Sequence, residues 1–72
     1  MLIGKIDLRP REKILVTIKD VKKTTVIDVR VHHTGEDGEM VATPAGISLS
    51  ESQIDQAVEL LKEAKARVAE KK

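Results

Sequence analysis

The sequence predicts an α+β fold: an antiparallel sheet from the first two thirds of the chain, followed by one C-terminal helix. Apolar and polar residues alternate over residues 14–18 and 26–32, which is the period of a strand with two different faces. The pair Asp37-Gly38 lies between β-rich runs and predicts a turn. After Ser50 the apolar period lengthens to that of a helix.

Each strand is assigned from its own pattern. Residues 2–8 predict an edge strand that Pro10 ends. The polar segment 20–25 predicts a hairpin loop between the two alternating runs. Residues 40–49 contain Pro44 and Gly46, which favour an edge or bulged strand. These patterns allow either three or four strands.

The helix is predicted over roughly residues 51–69. Ser50 and Gln53 have the spacing of a capping box, and Glu63 and Arg67 have that of an i,i+4 ion pair. One face is apolar at helical spacing, and its large residues are Ile54, Val58, Leu61 and Val68. These four side chains are expected either to close a dimer or to cover only their own sheet.

Length and composition predict one domain over residues 1–72, without disulfides or a thiolate metal site. The chain has 72 residues, no cysteine, and no Phe, Tyr or Trp. A small aliphatic core supplies little net stability, so a homodimer is expected. Without cysteines or a long apolar run, the protein is expected to be cytoplasmic, with no membrane partner.

Charge is unevenly distributed along the chain. Residues 1–34 contain eight Lys/Arg and four acids, a net of +4, and residues 35–72 contain five and eight, a net of −3. This asymmetry indicates a basic front and an acidic back, although ordinary solvated surface explains it equally well.

The stretch "VRVHHTGEDGEM", residues 29–40, contains His32, His33 and three acids, which are residue types of metal and acid–base sites. Neighbouring residues on a strand point to opposite faces, so the two histidines are poorly placed to share a metal. The acids lie in a turn with Gly35 and Gly38. We therefore expect no enzyme activity, no catalytic residues, no metal and no cofactor.

Motifs in fixed order carry a family resemblance. The segments "KDVKK", "VIDVRV", "HH", "DGEM" and "AGISL" follow one another from Val16 to about Gln53. They resemble the basic hairpin, "LIDIRE", aromatic pair, "EGEM" and "KGISL" of the C-terminal domain of the transcriptional coactivator positive cofactor four. The resemblance covers roughly half of the chain and extends into the helix.

The resemblance implies a curved four-stranded antiparallel sheet, one C-terminal helix and a homodimer. It also implies non-catalytic, sequence-independent binding of single-stranded DNA, or of melted duplex or RNA, in two antiparallel channels. The implied roles are transcription regulation as a coactivator, or DNA replication, recombination or repair, with RNA polymerase or replication proteins as partners. The compact chain suggests a prokaryotic or viral source, with a location in the nucleoid or host cytoplasm, and a nuclear one only if the source is eukaryotic.

Residue by residue, the resemblance assigns nucleic-acid contacts to basic positions of the hairpin and sheet. Lys19 and Lys22 match basic hairpin positions, and Arg30 matches the "IDIR" arginine. Lys23 stands where the family has glycine. Phosphate contacts of this kind dominate sequence-independent affinity. The sequence leaves open whether Lys22 and Lys23 only solubilise the hairpin and whether Arg30 pairs with Asp28; the additional candidates for the same face are Arg9, Arg11 and Lys13.

The aromatic positions of the family are replaced. Val21 stands at the hairpin aromatic, and His32 and His33 stand at the aromatic pair, with His33 at a base-stacking tryptophan. "VATPAG" replaces "KPGRKG", so basic residues are missing at positions 41, 44 and 45. Histidine is among the side chains that stack on bases. Strict alternation places His32 on the face of Arg30, and a bulge at residue 33 would reverse that assignment.

A second function remains open from the sequence alone. The missing aromatics and the near-neutral net charge favour a dimeric protein-interaction module of the transcription or replication machinery, with weak or lost nucleic-acid binding. The retained lysines and Arg30 favour the nucleic-acid binder.

Overall fold

The computed structural model describes residues 1–71 as a four-stranded antiparallel sheet followed by one helix. The strands are β1 (Leu2–Arg9), β2 (Glu12–Val21), β3 (Thr24–Thr34) and β4 (Met40–Leu49), and the helix is α1 (Glu51–Glu70). The sheet order is β1-β2-β3-β4, so each strand pairs with the next one along the chain. This confirms the predicted fold class and decides between three and four strands in favour of four.

The edge strands carry the irregularities that the sequence predicted. β1 ends at Arg9, before Pro10, and its pairing with β2 shifts register twice. β4 shifts register against β3 between Arg30 and His32, in the segment that contains Pro44. Such shifts are tolerated at sheet edges, where an unpaired backbone group still reaches solvent.

The hairpin between β2 and β3 is tighter than the sequence predicted. Residues 20–25 were expected to form a loop, but Asp20 pairs with Thr25 and Val21 pairs with Thr24. The Thr25 hydroxyl donates to Asp20 Oδ1 at 2.9 Å, so polar side chains in this segment support the ladder. Only Lys22 and Lys23 remain in the turn.

Direct cross-strand partners share a face, and the register therefore defines two faces of the sheet. The Arg30 face carries Arg30 and Asp28 of β3 with their partners Leu15 and Thr17 of β2. The Ile27 face is aliphatic, and on β2 and β3 it comprises Ile14, Val16, Ile18, Ile27, Val29 and Val31.

The helix begins where the capping box predicted. Ser50 Oγ accepts from the backbone N–H of Gln53, and the Gln53 side chain accepts from the backbone N–H of Ser50. The predicted pair of Arg67 and Glu63 has an Nε–Oε1 distance of 2.9 Å. α1 lies against β3 and β4, and its side chains are exposed except for the half-buried Ile54 and Ala57.

A single chain buries little apolar surface. Leu15, 8% exposed, is the only buried apolar residue among residues 1–71. Leu61 is 68% exposed and Val68 is 55% exposed on α1, and Ile47 is 56% exposed on β4. Most of the aliphatic side chains that the sequence offers as a core are therefore only partly covered.

Candidate nucleic-acid interface

The β2–β3 turn presents two lysines at the end of the sheet. Lys22 and Lys23 have φ values of 45° and 68°, and the residues on either side of them are paired. A two-residue hairpin turn with both φ values positive is of type I′, which normally selects Asn and Gly. Both lysines are exposed, so the turn projects two positive charges at a cost in backbone strain.

Arg30 is held on the face named after it by contacts from two strands. Its Nε donates to Asp28 Oδ2 at 3.1 Å and its Nη2 donates to Asp28 Oδ1 at 3.2 Å. Its Nη1 donates to the Thr43 carbonyl of β4 at 3.0 Å. The pairing with Asp28 that the sequence left open is therefore present, and the guanidinium is fixed in orientation.

Asp28 is the most buried residue of the described chain, at 1% exposed. Besides Arg30, its carboxylate accepts from Ser48 Oγ at 2.8 Å and lies 3.5 Å from Lys19 Nζ. The hydrogen bonds from Arg30, opposed by burial and supported by Ser48 and Lys19, lower the pKa of Asp28 to about 2. The carboxylate is thus charged at neutral pH and offsets part of the positive charge around it.

The two histidines lie on opposite faces of β3. The β2–β3 ladder is unbroken here: Lys13 pairs with His32 and Glu12 pairs with His33. His32 is half-buried on the Arg30 face, with Nδ1 3.2 Å from the Arg30 carbonyl oxygen, whereas His33 is exposed on the Ile27 face. The register shift lies in β4, so alternation places His32 beside the cations and separates His33 from them.

The Arg30 face continues onto β1, where a lysine that the sequence analysis missed is found. Lys5 pairs with Leu15, so it shares a face with Arg30. Lys13 lies on the same face, and its Nζ donates a hydrogen bond to Asp7 Oδ1. This hydrogen bond and the positive charge of Lys13 lower the pKa of Asp7. Lys13 and Lys19 are six residues apart on β2, or about 20 Å. The face on which Lys5 lies can be known only from the register of β1, because that register shifts at a bulge between Leu2 and Gly4.

The other basic candidates of the first hairpin are placed differently. Arg9 Nη1 is paired with Glu12 Oε1 at 2.7 Å, and Glu12 faces away from Lys13 by strand alternation. Arg11 lies in the turn, where its carbonyl accepts from the Thr34 N–H at 2.8 Å. Of the three additional candidates, the register therefore places Lys13 alone on the Arg30 face.

Comparison with protein-family models assigns the chain to a family. The model of the family described as Transcriptional Coactivator p15 (PC4) matches residues 8–60, which is well over half of the sequence. The chain belongs to the PC4 family.

Solved structures show the same fold. Two crystal structures of a PC4 homologue from Burkholderia pseudomallei, in orthorhombic and tetragonal forms, superpose with TM-scores of 0.85 and 0.84. Both are 23% identical to this chain and cover 90% of it, and the chain covers 88% and 96% of theirs. Among curated proteins, no sequence matches this chain significantly.

In this PC4-family chain, β4 carries no Lys or Arg. Val41, Pro44 and Ala45, at the positions expected to be basic, are exposed. Thr43 organises the segment instead: its hydroxyl donates to the Val31 carbonyl at 2.8 Å and accepts from the Ala45 N–H at 3.2 Å. The segment therefore contributes a carbonyl that orients Arg30 in place of direct positive charge.

Among the acids of the β3–β4 turn, Asp37 has a structural contact through its carboxylate. Asp37 Oδ1 accepts from the Glu39 N–H at 3.1 Å, and the Gly35 N–H donates to the Glu39 carbonyl at 2.9 Å. Gly38 has a φ of 84°, which favours glycine.

Among residues 1–71, no three His, Cys, Asp or Glu side chains are grouped to hold a metal ion, and no pocket is present. Within the same range, no helix has the length and apolarity to cross a membrane.

Proposed function

We propose that this PC4-family protein is a homodimeric, non-catalytic protein that binds single-stranded DNA without sequence specificity. The observation that carries the proposal is the alignment of positive charge on one face. Lys19 and Arg30 lie on the Arg30 face, and Lys22 and Lys23 extend it at the hairpin tip. Charges on a strand and its turn follow a phosphate backbone and do not select bases.

His32 is the base-stacking candidate that best supports this proposal. It lies on the Arg30 face next to Lys13, whereas His33 faces the other way. A histidine ring stacks on bases, as aromatic side chains do. With one imidazole in place of several large aromatic rings, we expect phosphate contacts to dominate the affinity and to make it strongly salt-dependent.

The homodimer is proposed because one chain leaves its apolar surface uncovered. Val58, Leu61 and Val68 of α1 are 41%, 68% and 55% exposed, and Ile54 is half-buried in its own chain. A second copy that packs on this helix face would cover side chains that a small domain cannot leave in water. The expected biological setting is transcription regulation, or DNA replication, recombination or repair, in the cytoplasm or nucleoid.

A salt titration tests the binding proposal. Labelled oligo(dT) of about 25 nucleotides should bind at low salt and dissociate as salt rises, with a slope of about 0.7 per phosphate contact. The variant Lys22→Glu/Lys23→Glu should lose binding. The matched control Lys62→Glu/Lys71→Glu makes the same change in net charge on exposed positions of α1 and the residue after it, and it should retain most of the affinity.

Failure of the wild-type protein to bind oligo(dT) at low salt would overturn this proposal and favour the protein-interaction module. Equal loss in both charge-reversal variants would show that net charge, and not the hairpin, governs binding. Matched duplex as competitor distinguishes single-strand preference from general binding to polyanions.

Light scattering after size exclusion tests the dimer separately. Leu61→Glu should convert the dimer to monomer or unfold it, because a carboxylate replaces an apolar side chain in the proposed interface. Gln56→Glu lies on the opposite side of α1 and adds the same charge, so it should remain dimeric. A monomeric wild-type protein would contradict the two-channel arrangement.

A further inference from the structure

A buried carboxylate occupies the centre of the face that is proposed to bind a polyanion. Asp28 is 1% exposed and contacts both Lys19 and Arg30. On charge alone, an acid in this position weakens nucleic-acid binding, because it repels phosphate and neutralises the cations. Its contacts indicate a different contribution.

Arg30 keeps free donors after all its contacts within the chain are made. A guanidinium has five N–H groups; one on Nε and one on Nη2 point to Asp28, and one on Nη1 points to the Thr43 carbonyl. One N–H on each terminal nitrogen therefore remains. The side chain is still 21% exposed, so these donors are oriented before any ligand arrives.

Lys19 shares the same carboxylate. Its Nζ lies 3.5 Å from Asp28 Oδ2, and its side chain is 52% exposed. The ammonium has three N–H donors, and the carboxylate engages at most part of them. Two cations that contact one carboxylate are close to each other, so one phosphate group with two free oxygens can contact both.

We propose that Asp28 is a positioning residue that orders Arg30 and Lys19 into one phosphate-binding site of the single-stranded-DNA surface. This inference rests on the proposed function. Asp28 does not touch the ligand; it removes rotamer freedom from two long side chains that would otherwise lose it on binding. Ser48 fixes the carboxylate from β4 through its hydroxyl.

The sign of the effect of Asp28→Asn tests the inference. This change removes one negative charge, so electrostatics alone would tighten the binding of oligo(dT). If Asp28 positions the two cations, Asp28→Asn instead weakens binding, by roughly tenfold for two side chains that are no longer ordered before binding. The salt slope should also fall by about 0.7, the loss of one phosphate contact.

Asp7→Asn is the matched control. Asp7 lies on the same face and pairs with Lys13, but its side chain is 89% exposed. The substitution makes the same charge change without releasing a buried pair, so binding should be unchanged or tighter. Should Asp28→Asn fail to fold, Arg30→Lys replaces it: the charge is kept, the paired contact to the carboxylate is lost, and both affinity and slope should fall.

The outcomes separate this inference from the proposed function. Wild-type protein that does not bind oligo(dT) overturns both. If the wild-type protein binds and folded Asp28→Asn binds equally well or more tightly, the positioning role alone is overturned. The same holds if Arg30→Lys binds equally well or more tightly with an unchanged salt slope.

Discussion

Gly46 of β4 lies directly against Arg30 of β3. A Cβ on residue 46 would stand 2.6 Å from the Val29 carbonyl oxygen and 2.7 Å from the Arg30 Cα. Both are backbone atoms of the adjacent strand, so a side chain at residue 46 can fit only if the two strands move apart. The close approach of β4 also brings the Thr43 carbonyl within 3.0 Å of Arg30 Nη1.

Gly46→Ala should therefore destabilise the protein and misplace Arg30. We expect a loss of about 2 kcal/mol or more in the free energy of unfolding, the range of overpacked sites, measured by urea denaturation. Gly4→Ala is the control, because no atom lies within 4 Å of a Cβ at that position, and it should be neutral or slightly stabilising. Equal stability of the two variants would contradict the close packing of β4 on β3.

Lys23→Gly should stabilise the fold. Lys23 has a φ of 68°, and relieving the left-handed conformation of a residue with a side chain is worth about 1 kcal/mol. Urea denaturation measures the gain. Lys62→Gly, in the interior of α1, should lose about 1 kcal/mol, which shows that the benefit is specific to the turn. A destabilised Lys23→Gly would mean that the lysine side chain makes contacts in the folded protein that outweigh the strain.

Stability should fall in acid through Asp28. Its pKa is about 2 in the folded protein, below the ordinary value of 3.8. Because the folded pKa is the lower one, the contribution is fully present above about pH 4 and is lost as pH falls towards 2. Denaturation at pH 7, 4, 3 and 2 measures it, and Asp28→Asn should show a shallower decline over this window. An identical decline in the variant would assign the acid sensitivity to other carboxylates.

Ser50→Ala should weaken the start of α1. The side chain accepts from the Gln53 N–H, and the Gln53 side-chain oxygen accepts from the backbone N–H of Ser50. Loss of such a cap costs about 1 kcal/mol, which urea denaturation or the helical circular dichroism signal detects. Ser52→Ala, at the second residue of α1, should cost less, because it removes only a 3.3 Å contact between the Ser52 and Ser50 hydroxyls and leaves the cap itself in place. Equal effects would indicate that the capping box adds nothing in solution.

The sequence predicted the elements well because their signals are local. Alternation over Ile14–Ile18 and 26–32, the Asp37-Gly38 turn and the Ser50 cap each depend on residues within a few positions. The same period placed His32 on the face of Arg30, and the unbroken β2–β3 ladder confirms it. The prediction of a loop over residues 20–25 was wrong. The polar side chains that suggested a loop include Asp20 and Thr25, which hydrogen-bond to each other across the two strands.

The sequence by itself determined the order of strands and helix, the family motifs and the lysines of the hairpin. Only the tertiary structure decided which cations share a face of the sheet. Lys5 joins the Arg30 face through a bulge in β1, and Arg30 is oriented by Asp28 and by the Thr43 carbonyl, thirteen positions away along the chain. The physical reason is that side-chain period is local, whereas register shifts and contacts between strands depend on how distant segments pair.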